Sequence, residues 1–196
     1  MLIEITVILL AYLCGSLASA VIVCKAMGLS DPRQAGSNNP GATNVLRLHG
    51  KQAAALTLAG DVLKGVLPVL AARWLGMDDS IVAACGLAAF TGHLYPVFFG
   101  FQGGKGVATL LGVLVATHWL CGLTFAGTWL LMAQLFRYSS LAALVASLVT
   151  PVVSLILLPA AYAIAQSIMV ILVFWRHRSN IRNLVAGRED RIGEKT

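Results

Sequence analysis

The sequence predicts an all-α fold, a polytopic integral membrane helix bundle of about seven transmembrane helices, and three observations predict it. The composition is 58% hydrophobic and 11% charged over 196 residues, far from the balance of a soluble globular domain. Apolar residues gather into seven runs joined by short polar turns, and Lys and Arg fall almost entirely on one side of those runs. A hydrocarbon core about 30 Å thick takes roughly 20 apolar residues per helix. Residues 1–196 are therefore expected to form a single transmembrane domain, with no room for a separate soluble one.

The first run, Ile5 to Val23, is preceded by Glu4 and by no Lys or Arg, and it continues past Ala18-Ser19-Ala20, which mimics a signal cleavage site. It is kept as the first span. Ala53 to Leu75, Ile81 to Phe99, Val107 to Thr117, Trp119 to Phe136, Leu141 to Leu158 and Ala160 to Trp175 complete the seven. The fourth run is short and Thr117-His118 is a weak break, so the alternative count is six, with the fourth and fifth runs forming one kinked span plus a re-entrant piece. No segment of one half repeats in the other, and paired broken helices of the transporter kind are not evident.

Orientation follows from the basic residues of short loops, which stay on the cytoplasmic side. With the amino terminus periplasmic and the carboxyl terminus cytoplasmic, Lys25, Arg33, Arg47 and Lys51, then Lys105, then Arg137, then Arg176, Arg178, Arg182, Arg188, Arg191 and Lys195 lie inside, twelve of the 14 basic residues. Lys64 lies within the second run and Arg73 near its outer end. The net charge of +6 is scattered through loops and tail without interleaved stacking aromatics, which argues for membrane orientation and against nucleic acid. Cys14, Cys24, Cys85 and Cys121 sit in apolar runs without the paired spacings of zinc or redox sites, and read as small buried hydrophobes.

Three inner-face segments carry the candidate chemistry. The loop from Asp31 to Arg47 is rich in turn residues. Gly36 and Gly41 permit positive φ, and Ser37, Thr43, Asn44 and Arg47 are donors of the kind that grip phosphate; an ordinary solvated loop capping the next helix fits the same composition. The second segment, Phe101-Gln102-Gly103-Gly104-Lys105-Gly106-Val107-Ala108-Thr109, joins a glycine-rich turn with free N–H groups to a helix amino terminus, where an anion is favoured. It is not a nucleotide-binding loop, because Phe99 and Gly106 replace the glycine and the hydroxyl residue that such a loop requires. A glycine hinge with a snorkelling lysine is its plainer reading. The third pairs Arg137-Tyr138-Ser139-Ser140 with the tail His177 to Glu189, in which His177 and Asn180 lie one helical turn apart. A positive anchor for anionic lipid would need only the arginines. Within the spans, Asp61 and Lys64 share a helix face and read first as a structural ion pair, His93 as a polar interhelical contact, and His118 belongs to an outer turn.

Taken in order, Gly15-Ser16, Gly36-Ser37 through Arg47, Asp61-x-x-Lys64-Gly65, Gly92-His93, Gly103 to Thr109, Arg137-Tyr138 with Ser140-Leu141, and His177-x-x-Asn180-Ile181 ending at Gly187-x-Glu189 closely resemble the bacterial acyl-phosphate glycerol-3-phosphate acyltransferases, the PlsY family, over nearly the whole chain. The resemblance implies transfer of a fatty acyl group from acyl phosphate, not acyl-CoA, to the 1-hydroxyl of sn-glycerol 3-phosphate. The products are 1-acyl-sn-glycerol 3-phosphate (lysophosphatidic acid) and phosphate, in the first step of phospholipid biosynthesis at the cytoplasmic face of the bacterial inner membrane. By matching position it implies catalytic Ser37, Arg47, Lys105, His177 and Asn180, and phosphate contacts from Ser37, Asn44, Arg47, Gly103, Gly104, Lys105 and Ser140. Thr43, Asp61, Lys64, His93 and Glu189 are supporting, Glu189 by orienting the tail. No cofactor or metal is expected. The implied partners are the two substrates, the lipid bilayer and, functionally, a soluble enzyme that makes acyl phosphate. Asn38 stands where the family pattern has glycine and Gln102 where it has lysine, which bears on affinity rather than reaction type.

Acyl phosphate is already activated, so positioning and charge neutralisation suffice, and either the leaving phosphate or His177 takes the hydroxyl proton. The rival function is a membrane carrier for an organic phosphate, but the outer loops are too short and too poor in donors to build a second gate. A scaffold without chemistry leaves Gly103 to Gly106 and His177 with Asn180 unexplained.

Overall fold

The structure, a computed structural model, describes residues 1–193; Lys195, counted above among the inner-face cations, lies outside the described residues. Among them are ten α-helices, one 3₁₀ turn and no strand. The first run divides into α1 (Leu2–Gly15) and α2 (Ser19–Ala26); α3 (Ala42–His49) follows in the polar loop, then α4 (Lys51–Trp74), α5 (Asp79–Leu94) with a 3₁₀ turn at Val97–Phe99, α6 (Val107–Thr117), α7 (Trp119–Phe136), α8 (Ser139–Leu157), α9 (Ala160–Arg176) and α10 (Arg178–Val185).

Four segments are long and apolar enough to cross a membrane alone, and the bent pairs α1–α2 and α9–α10, at 45° and 59°, bring the candidate crossings to six. The remaining run, the fourth, is α6, whose 11 residues reach only about 16 Å at 1.5 Å per residue, roughly half the hydrocarbon thickness. It does not fuse with α7. His118 is extended, and its ring Nδ1 accepts the Leu120 N–H at 3.2 Å, capping α7 where the sequence assigned that histidine nothing. The two bent spans went unread in the sequence.

Helices close on one another through small residues, which let backbones approach. A Cβ on Gly15 would strike the Ala89 backbone, and one on Gly92 the Tyr12 carbonyl, so α1 and α5 meet main chain to main chain. The same holds for α4 against α6, where a Cβ on Gly112 would strike the Val62 carbonyl and one on Gly65 the Thr109 carbonyl. Gly65 lies past the middle of the 24-residue α4, so α6 begins deep in the bundle rather than at its rim. At its other end Arg73 donates from Nη1 to the Ala116 carbonyl at 2.8 Å and from Nη2 to the Thr117 carbonyl at 2.6 Å, satisfying two of the last carbonyls of α6.

The break between α1 and α2 frees backbone carbonyls inside the bundle. Lys64 Nζ donates to the Leu17 carbonyl at 2.8 Å and lies 2.8 Å from Asp61 Oδ1, while His93 Nδ1 stands 3.5 Å from the same carboxylate oxygen. All three side chains are buried. The ion pair read from the sequence thus joins the interhelical histidine in one group that mends the broken span.

Close approach of α6 to α4 predicts a sharp contrast between two glycines. Gly112→Leu, with a carbonyl in the way, should cost about 3 kcal/mol or more and yield aggregated protein on gel filtration in detergent, whereas Gly127→Leu, with open space around it, should leave the profile and thermal midpoint unchanged.

Candidate active site

Four chain segments meet at one end of the bundle: the loop before α3 with α3 itself, the turn from Tyr95 to Gly106, the α7–α8 turn, and α10 with the tail beyond it. The first is fixed from within. Asn44 is buried, its Oδ1 accepts the Ser37 N–H at 3.0 Å, and its Nδ2 donates to the carbonyls of Pro32 at 2.9 Å and Ala35 at 3.1 Å. That spends the amide on holding the loop, so the phosphate contact expected of Asn44 is replaced by a bracing one. Arg33 grips Asp31, its Nη2 2.7 Å from Oδ2, and reaches the Phe99 carbonyl at 3.2 Å, tying this loop to the second turn; these hydrogen bonds hold the Asp31 carboxyl below the usual carboxylate range. The left-handed positions are Gly36 at φ +62° and Asn38 at φ +55°, the residue standing where the family pattern has glycine. Gly41 is instead extended at φ −122°, and its lack of a side chain leaves room for the Asn39 amide. Ser37 and Arg47 remain exposed, and Thr43 Oγ1 lies 3.4 Å from Ser139 Oγ.

The glycine–lysine turn is buried against α5. A Cβ on Gly103 would strike the His93 carbonyl, one on Gly104 the His93 imidazole, and one on Gly106 the Phe90 ring, so each glycine is fixed by space, and Gly106 also by its φ of +87°. The Gly104 N–H donates to the His93 carbonyl at 3.2 Å, which removes one of the free amides expected from the sequence. The carbonyls of Gly103 and Gly104 accept from Arg176, Nη2 at 2.6 Å and Nε at 3.0 Å. Among the described residues the Lys105 N–H has no protein partner.

Lys105 Nζ donates to Asn180 Oδ1 at 2.5 Å, Asn180 Nδ2 donates to Glu189 Oε1 at 2.6 Å, and Ser140 Oγ donates to the same oxygen at 2.6 Å. One residue on, Asp190 pairs with Arg47 at 2.8 Å. The tail then runs beside the α7–α8 turn, where the Ile192 N–H donates to the Arg137 carbonyl at 2.6 Å, Arg137 Nη2 returns a bond to the Ile192 carbonyl at 3.0 Å, and Arg191 Nε donates to the Tyr138 hydroxyl at 3.2 Å. Lys105, Asn180, Glu189 and Ser140 are therefore one hydrogen-bonded chain, and Arg47 joins it through the tail. Asp61, Lys64 and His93 stand behind the glycine turn rather than in the chain.

Burial lowers the Lys105 ammonium from the ordinary lysine value; Glu189 opposes that shift, while Arg176 and Arg47 add to it. His177, the first residue past α9, is buried, and burial pushes its imidazole down to about 4, with Lys105 and Arg176 adding to the shift and the Val173 hydrogen bond opposing it. Its Nδ1 is 2.8 Å from the Val173 carbonyl. A carbonyl only accepts, so the proton of the neutral ring sits on Nδ1 and the Nε2 lone pair is left for another donor. Arg47 pairs with Asp190, Lys105 reaches Glu189 through Asn180, and Arg176 adds a third cation at the glycine turn, an excess of positive charge suited to a phosphate. Arg176 and Asp190 were not singled out in the sequence. Arg176 ends an apolar helix and reads there as one more inner-face cation, and Asp190 carries no motif.

The family model for glycerol-3-phosphate acyltransferase matches residues 5–187. A glycerol-3-phosphate acyltransferase of Burkholderia vietnamiensis is 58% identical over 192 residues, 95% of this chain and 90% of that protein, and one of Burkholderia lata is 57% identical over the same shares. Two crystal structures of PlsY (YgiH), an integral membrane glycerol 3-phosphate acyltransferase, superpose on this chain at 38% identity: the glycerol 3-phosphate form with a TM-score of 0.91, covering 97% of this chain and 96% of that one, and the lysphosphatidic acid form with a TM-score of 0.90, covering 97% and 95%. The match runs from the first span to Gly187, taking in every segment of the site but the tail beyond that glycine, and by it the chain belongs to the glycerol-3-phosphate acyltransferase family, of the PlsY type.

Proposed function

We propose that the chain transfers a fatty acyl group from acyl phosphate to the 1-hydroxyl of sn-glycerol 3-phosphate, releasing 1-acyl-sn-glycerol 3-phosphate and inorganic phosphate. The observation that carries this is the meeting of Lys105, Asn180, Glu189 and Ser140 in one hydrogen-bonded chain, with Arg47 and Arg176 beside it. Two phosphate-bearing reactants need that concentration of cations and donors, and the related PlsY was solved in a glycerol 3-phosphate form and a lysphosphatidic acid form. The site end faces the cytoplasm of a bacterial inner membrane on this reading, because the short loops there hold the basic residues. Acyl phosphate comes from a soluble enzyme, and its chain stays in the bilayer.

In the reaction the 1-hydroxyl oxygen attacks the acyl carbonyl carbon, the carbon–oxygen bond to phosphorus breaks, and phosphate leaves with the bonding electrons. Ser37, Arg47 and Lys105, with the Gly103 and Lys105 amides, hold the phosphates; Ser140 and Glu189 hold Asn180 in place, and Asn44 keeps the first loop in shape. The departing phosphate takes the hydroxyl proton. An imidazole at about 4 is a poor acceptor near neutral pH, whereas the departing phosphate gains basicity as the acyl carbon–oxygen bond breaks and lies next to the hydroxyl. His177 Nε2 then accepts a hydrogen bond that orients the nucleophile.

Purified protein in detergent should convert glycerol 3-phosphate with palmitoyl phosphate and not with palmitoyl-CoA; turnover with the thioester alone would sink the donor assignment. Lys105→Ala should lower kcat/KM on the order of 10²- to 10³-fold, as loss of a preorganised charge contact does. His177→Gln should lose less than about tenfold, against 10²- to 10⁴-fold for a true base, and keep the wild-type pH profile.

The depressed His177 value has its own signature in stability. The unfolded ring protonates near 6.5 and the folded ring only near 4, so as pH falls through that window the unfolded state takes up the proton first and stability drops. The thermal midpoint measured from pH 7 down to 4 should fall, and His177→Gln should flatten that slope.

A further inference from the structure

Arg176 lies outside the motif residues, yet it makes the two hydrogen bonds that set the glycine–lysine turn. The peptide joining Gly103 to Gly104 is held at both ends, its carbonyl by Arg176 Nη2 at 2.6 Å and its N–H by the His93 carbonyl at 3.2 Å. In the next peptide the Gly104 carbonyl accepts from Arg176 Nε at 3.0 Å. Among the described residues no peptide is cis, so the N–H of that unit, on Lys105, points away from Arg176. This is the amide that has no protein partner among the described residues. On its other side the turn rests flush on α5, against His93 and Phe90. The guanidinium is backed by the Tyr95 ring, 5.8 Å from its centroid.

We propose that Arg176 is a positioning residue for acyl transfer: by holding two successive carbonyls it aims the Lys105 N–H and the root of the Lys105 side chain into the pocket shared with Asn180 and His177. The inference rests on the reading that this pocket binds the substrate phosphates. A guanidinium suits the task because its Nε and Nη2 donors diverge at a fixed angle in one plane, matching two neighbouring carbonyls, whereas an ammonium is a point charge that sets no peptide plane. Charge alone is not what the site asks of this residue. Arg47 and Lys105 already supply cations, and among the described residues the Arg176 guanidinium donates to two backbone carbonyls.

The test compares Arg176→Lys and Arg176→Gln in the purified full-length protein, assayed with glycerol 3-phosphate and palmitoyl phosphate. Both should lose kcat/KM on the order of 10²-fold, the scale of an ångström-level misplacement, with Lys no better than Gln to within about threefold. The loss should fall in kcat, both KM values moving less than about threefold, while both variants stay monodisperse on gel filtration and show thermal midpoints lowered alike, because each leaves a glycine carbonyl short of a donor. Millimolar guanidinium should restore part of the Gln variant's turnover and none of that of Lys105→Ala. A Lys variant near wild type would overturn the proposal, because charge would then be enough, and aggregation of both variants would overturn it by assigning Arg176 to folding. Failure of the wild type to use palmitoyl phosphate would instead remove the reading of the pocket itself.

Discussion

Inside a bilayer an unpaired backbone carbonyl costs several kcal/mol, because no water is present to satisfy it, and two buried interruptions of the helical ladder lie at the site and just behind it. One is the break at Ser16 to Ala18; the other is the turn at Gly103 and Gly104. Each is repaired by a long cation from a neighbouring helix, Lys64 to the Leu17 carbonyl and Arg176 to the two glycine carbonyls. The two repairs are linked. Lys64 is neutralised by Asp61, Asp61 faces His93, and His93 supplies the surface on which the glycine turn is laid.

The same constraint explains what the sequence disclosed. Spans were legible because lipid forces a long apolar run wherever backbone must be helical, and the observed helices track the seven runs closely, from Val107–Thr117 and Trp119–Phe136 to Ala160–Arg176. The short amphipathic helices α3 and α10 were not, since eight residues with few apolar groups take their helicity from docking, through Val45 into one core cluster and Ile181 and Leu184 against another. Of the candidate site, Lys105 and Asn180 stood out by residue type and spacing, and Ser140 and Glu189 by the family resemblance. Their connection was not readable, because it depends on where a tail folds after α10.

Asn44 and Arg176 show the limit from opposite sides. Asn44 sits in the most phosphate-like loop and spends its amide on that loop's own backbone. Arg176 sits at the end of an apolar helix and reaches into the site. Residue type and spacing report which groups are available, whereas burial and partner geometry decide which are already engaged. The tail makes the same point with charge: Glu189 and Asp190 sit against Asn180, Ser140 and Arg47, so the excess positive charge is smaller than a count of cations alone implies.

The shortness of α6 has a consequence for traffic through the enzyme. Because its amino-terminal turn lies alongside the interior of α4 and not at the rim, the reacting carbon of an amphiphile whose chain remains in one leaflet can be met at its own depth, without lifting the tail into water. On the proposed reaction only the small polyol phosphate must come down from the aqueous side. Acylation then gives it a hydrocarbon anchor, so the molecule that entered by three-dimensional diffusion leaves by two-dimensional diffusion, and a soluble metabolite is captured by the membrane in a single turnover.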